Sequence, residues 1–81
     1  MKITLEQMKS MLIDAFNLEM EPSEITEDTI IVGDGLELDS VDTLEIIVEL
    51  DKRFQIKIPN TEIKPEAFQS VGKLIEFANK Y

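Results

Sequence analysis

The chain has 81 residues, 43% of them hydrophobic, enough for one small core and no second domain. It contains no Cys and no His, which excludes disulfides, thiol nucleophiles, Ser-His-Asp and Cys-His catalytic pairs and the usual zinc sites. Seventeen acids against eight bases give a net charge of −9, which disfavours nucleic-acid phosphates and anionic membrane surfaces and points to basic protein surfaces as partners.

Residues 1–7 lack the apolar core and small-residue cleavage site of a signal peptide. No apolar run exceeds three residues, too few to span a bilayer, so a cytoplasmic monomer with no membrane insertion is expected. Leu5, Met8, Leu12, Ala15 and Phe16 recur at helical spacing and predict a first amphipathic helix over 4–17. Thr4 is its N-cap, and Gln7 completes a capping box. Pro22 and Ser23 open a long connection that runs to about Leu38. Its Ile25, Ile30, Ile31, Leu36 and Leu38 are expected to pack on the bundle. Residues 26–31 have room for a short helical turn, which Gly33 and Gly35 would end. Between positions 10 and 51 stand thirteen acids and not one Lys or Arg. Apolar residues interleave with them, so the stretch is an acidic surface and not a disordered tail.

The second helix is the clearest element, at 40–54. Asp39 is its N-cap, with a carboxylate placed to accept from the amide of Val41 or Asp42. Asp42 in the first turn and Lys52 and Arg53 in the last complement the helix dipole. Pro59 forbids a continuing helix. Asn60 or Thr61 is read as starting a short third helix, and Pro65 takes a first-turn position in another. Ser70 caps a final helix with apolar Val71, Leu74, Ile75 and Ala78 and with Phe77 beside them. The reading is all-α: a small four-helix bundle of three longer helices and one short, with a long connection between the first two, in a single domain over 1–81.

On a wheel of about 100° per residue, Ile46, Ile47, Leu50 and Phe54 fall on one face of the second helix. That face is the core side. Val41, Leu44 and Val48 form a second stripe roughly opposite, flanked by Asp42, Glu45 and Glu49 on one side and Asp51 on the other. A bundle needs one apolar face, not two. Either the long connection covers the second stripe, or it is a partner-docking surface with an apolar centre and an acidic rim.

Ser40 begins this helix, in the run Gly35-Leu36-Glu37-Leu38-Asp39-Ser40-Val41-Asp42. A serine there is commonly a simple first-turn or capping residue. With no His and no nearby Lys in sequence, nothing activates it as a nucleophile. It can serve as an acceptor when another enzyme supplies the base, and a helix N-terminus stabilises a phosphodiester's negative charge.

The run from Leu38 to Asp51, followed by Phe54, Ile56, Ile58 and Pro59, closely resembles the signature of acyl carrier proteins. That signature is an Asp-Ser-(Leu, Ile or Val)-Asp core, an amphipathic helix and a Phe-x-Ile-x-Ile-Pro ending. The resemblance covers essentially the whole chain. It implies that a phosphopantetheinyl transferase attaches 4′-phosphopantetheine from coenzyme A to Ser40. The arm's thiol would then hold an acyl group as a thioester for partner enzymes of fatty-acid, polyketide or related lipid synthesis. Asp39, Val41, Asp42, Leu44, Glu45, Val48 and Glu49 would meet the basic docking patches of those loading and processing enzymes. Ser40 would carry the cofactor without catalysing anything, and no metal is implied.

The approach to Ser40 is one residue longer than the usual Asp-Leu-Gly-x-Asp-Ser, and Lys52 and Arg53 stand near positions often acidic in housekeeping members. The segment 60–69 is also slightly extended. These departures resemble a specialised, freestanding carrier. An aminoacyl or peptidyl carrier, such as a D-alanyl carrier, stands as the rival within the family. An acidic helical adaptor that carries nothing stands as the rival outside it. A calcium sensor is set aside, because the Asp-x-Asp-x-Asp-Gly loop is absent.

Overall fold

The computed structural model describes residues 3–81. Three α-helices, α1 (Leu5–Phe16), α2 (Ser40–Phe54) and α3 (Val71–Ala78), pack around one core, with single 3₁₀ turns at Pro22–Glu24, Asn60–Glu62 and Pro65–Phe68. Each helix begins where a side chain can satisfy its orphan amides. Thr4 and Gln7 close a capping box on α1, and the Ser70 hydroxyl accepts from the Lys73 amide at α3. Asn17 and Gln55 end α1 and α2 in the left-handed region, at φ 54° and 55°.

The architecture is all-helical, but the short fourth helix is not an α-helix. Two 3₁₀ turns stand in its place, separated by extended Ile63 and Lys64. Pro59 and Pro65 bound a segment too short for more than one turn at a time, and Pro65 holds the residue before it out of helical conformation. The helical turn expected at 26–31 is also absent; a turn forms earlier, at Pro22–Glu24. The hydroxyls of Thr26 and Thr29 capture the local amides of Asp28 and Thr26. The carbonyls of Glu27 and Thr29 accept from the amides of Gly72 and Val71, at 2.8 and 2.9 Å, in the first turn of α3. A segment whose carbonyls serve another helix cannot build its own ladder.

Met8, Met11 and Leu12 of α1, Ile46 and Leu50 of α2, and Val71, Leu74 and Ala78 of α3 make the centre of the core. Ile25, Ile31, Leu36 and Leu38 close it from the long connection, as expected for that segment. Ile30 does not join them: it is 46% exposed, because the chain is extended there and alternates its side chains. Asn79 ties the two ends together, accepting from the Ile3 amide at 2.8 Å and donating to its carbonyl at 3.2 Å.

Candidate functional site

The connection folds back on itself just before α2. The Leu36 amide donates to the Ile30 carbonyl, and the Leu38 amide to that of Ile31. Gly35 is required in this turn, since a Cβ there would overlap the Ile30 backbone. Burial of Leu36 and Leu38 anchors the loop, and Glu37 between them takes the left-handed region at φ 60°. The chain is thereby delivered to the surface at Asp39 and Ser40, both exposed.

Asp39 and Asp42 form a reciprocal capping box: the Asp42 amide donates to Asp39 Oδ1 and the Asp39 amide to Asp42 Oδ2, each at 3.0 Å. Ser40 is the first residue of α2, in the turn whose amides have no intrahelical acceptor. Thr43 Oγ1 donates to the Ser40 carbonyl at 2.6 Å, and no hydrogen bond engages the Ser40 hydroxyl among the described residues. Ser40 and Thr43 line a cleft of about 720 Å³ whose apolar walls are Ile30, Val32, Ile63 and Phe68, with Lys64 among its lining. The cleft is absent from the sequence reading. Its signal is the alternation of exposed Ile30 and Val32 with buried Ile31, obscured because Ile30 and Ile31 fall within the helical turn expected at 26–31.

The second stripe of α2 is open. Val41, Leu44 and Val48 are 71%, 57% and 47% exposed, so the long connection does not cover them. Together with Asp42 and Glu45 they border a shallow groove against Ala15 and Phe16 of α1. Glu45 is exposed and Asp42 half-buried. Glu49 is placed differently: its side chain is 13% exposed and pairs with Arg53 one turn on. The hydrogen bond from Arg53 holds its carboxyl below the ordinary value, against the opposing effect of desolvation. Among the described residues, no cluster of His, Cys, Asp or Glu is arranged to hold a metal ion.

A small helical bundle presents an exposed serine at a helix N-terminus, beside a largely apolar cleft. The chain belongs to the phosphopantetheine-attachment family, whose profile, described as "Phosphopantetheine attachment site", matches residues 6–78. It is 41% identical over 66 residues to a D-alanyl carrier protein of Streptococcus uberis, covering 80% of this chain and 82% of the relative. It is 31% identical over 74 residues to the acyl carrier protein AsbD of Bacillus anthracis, covering 89% and 81%. In structure it is similar to the holo acyl carrier protein of Nitrosomonas europaea solved by NMR, with a TM-score of 0.79 and 28% identity, over 94% of this chain and 92% of that one.

The protein is therefore a carrier of the acyl carrier type, not an enzyme, and it bears a covalently attached phosphopantetheine. Modifying and processing enzymes act on such carriers. The residues present fit the group: an exposed hydroxyl, first-turn amides to meet a phosphodiester, and an apolar cleft alongside. None of the described helices is long and apolar enough to cross a membrane.

Proposed function

We propose that the chain is an acyl carrier protein whose attachment atom is Ser40 Oγ, the whole of residues 1–81 acting as one domain. The observation that carries this is the exposure of Ser40 at the start of α2 on the edge of the apolar cleft. In the transferase's active site Ser40 Oγ attacks the pantetheine-bearing phosphorus of coenzyme A's diphosphate, and the P–O bond bridging to the adenosine 5′-phosphate breaks. The hydroxyl proton passes to a base the transferase supplies, and adenosine 3′,5′-bisphosphate leaves. The attached group supplies a terminal thiol that holds an acyl cargo as a thioester. Ile30, Val32, Ile63 and Phe68 offer an acyl chain an apolar wall beside the attachment point and limit its contact with water. Val41, Leu44 and Val48 form the centre of the docking face, with Asp39, Asp42 and Glu45 at its rim. The pathway proposed is fatty-acid, polyketide or related lipid synthesis.

A second reading, an aminoacyl carrier loaded with D-alanine, is favoured by the relative at 41% identity. The test has two stages. Apo protein incubated with coenzyme A and a broad-specificity phosphopantetheinyl transferase should gain the mass of one phosphopantetheine, and Ser40→Ala should gain none. Modification that survives Ser40→Ala would refute the assignment. The holo protein is then offered to an acyl-loading ligase and to a D-alanine ligase, and the adduct mass decides the cargo class.

A further inference from the structure

The acidic stretch meets its first bases at the last turn of α2, and Arg53 draws two of its carboxylates into ion pairs. Arg53 Nη2 stands 2.7 Å from Asp14 Oδ2 of α1, and its Nε donates to Glu49 Oε1. Lys52 Nζ stands 3.9 Å from the other Glu49 oxygen. Glu45, one turn nearer Ser40, has no cation within ion-pair distance among the described residues. The outward side of α2 therefore changes character along its length. Near Ser40 it carries Asp39, Asp42 and Glu45 with no base, whereas at its far end Glu49 pairs with Lys52 and Arg53, and Asp51 with Lys57 at 3.2 Å. The lowered protonation range of Glu49 agrees with a carboxylate already engaged within the chain.

Resting on the carrier reading above, we infer that Arg53 is a specificity-determining residue of the docking face. By holding Glu49 and Asp14 it confines acidic recognition to the Ser40 end of α2. The chain thus fits partner enzymes whose cationic patch lies beside the modified serine and whose surface over Lys52 is neutral or acidic. A partner with a cationic patch running the whole helix meets Lys52 and Arg53, and like charges at an interface reject it. Specificity here comes from the unfavourable contact as much as from the favourable one.

The test is a double-mutant cycle on the apo chain, with a broad-specificity phosphopantetheinyl transferase and coenzyme A as the probe. Parent, Arg53→Gln, Glu49→Gln and the double variant are compared by kcat/KM for mass gain. Each is also titrated against the transferase in a Ser40→Ala background, which binds without being modified. Releasing Glu49 by Arg53→Gln should strengthen binding roughly two- to five-fold at low salt, the range of an exposed ion pair, and added salt should erase the gain. Glu49→Gln should then weaken binding more in the Arg53→Gln background than in the parent. Equal effects in both backgrounds, with only a lowered melting temperature for Arg53→Gln, would make Arg53 a structural clamp and overturn the inference. If Arg53→Gln unfolds, Glu45→Gln and Glu49→Gln are compared in the parent. The larger loss must fall on Glu45→Gln, and equal losses overturn the inference. A parent chain that gains no phosphopantetheine overturns the carrier reading as well, whereas modification at Ser40 with additive effects overturns only the role of Arg53.

Discussion

Leu50 and Leu44 are the same residue type on the same helix, one fully buried and the other 57% exposed. Truncating each to Ala changes helix propensity equally, so the difference between them isolates burial. Leu50→Ala removes three carbon groups from water-free surroundings, a loss of about 2.4 kcal/mol at ~0.8 kcal/mol per group. The core, which includes fully buried Met8, Ile46 and Leu74, relaxes only in part, and the remaining cavity raises the cost to about 3–5 kcal/mol. A domain of this length holds roughly 4–12 kcal/mol in all, so Leu50→Ala should lower the melting temperature by at least 10 °C and leave part of the population unfolded. Leu44→Ala should change stability by no more than about 0.5 kcal/mol. Urea unfolding followed by far-UV circular dichroism measures both, with the midpoint shifting and the slope unchanged. If Leu44→Ala costs as much as Leu50→Ala, α2 does not present the second stripe to solvent, and the docking face described above does not exist.

Two further predictions concern charges on α2. Asp39→Ala opens the capping box with Asp42 and should cost about 1 kcal/mol in urea unfolding, while Asp39→Asn should retain most of it; equal stability of all three would show that the box contributes nothing in solution. Arg53 lowers the Glu49 carboxyl below its ordinary value of 4.5, so the pair's stabilisation is fully present above that value and is lost as pH falls through the depressed one. The stability gap between the parent and Glu49→Gln should accordingly be constant near neutrality and close below pH 4.5; a gap unchanged across that range would refute the pairing.

Whatever depended on neighbours within one turn was legible in the sequence. Thr4 with Gln7, Asp39 before Ser40, and Ser70 before Val71 place the starts of α1, α2 and α3, because a cap needs only a side chain and amides two or three residues away. The two faces of α2 follow from helical periodicity alone, and the exposure of Val41, Leu44 and Val48 against the burial of Ile46 and Leu50 agrees with it. The segments between helices are not legible in the sequence where distant groups compete for backbone atoms. Residues 26–31 have enough apolar content for a helical turn, yet the amides of Val71 and Gly72 take their carbonyls, some forty residues along the chain. That exchange keeps the segment out of a helix, with a single hydrogen-bonded turn over residues 26–29, and Ile30 and Val32 face outward on the cleft beside Ser40. Glu49 gives the same lesson in charge. Its pairing with Arg53 is an i,i+4 contact that helical spacing already allows, but only the packing of α1 against α2 brings Asp14 within reach of the same guanidinium. Local hydrogen bonding and periodicity are properties of a short window of sequence, whereas the partners of a carbonyl or a guanidinium are chosen by the fold.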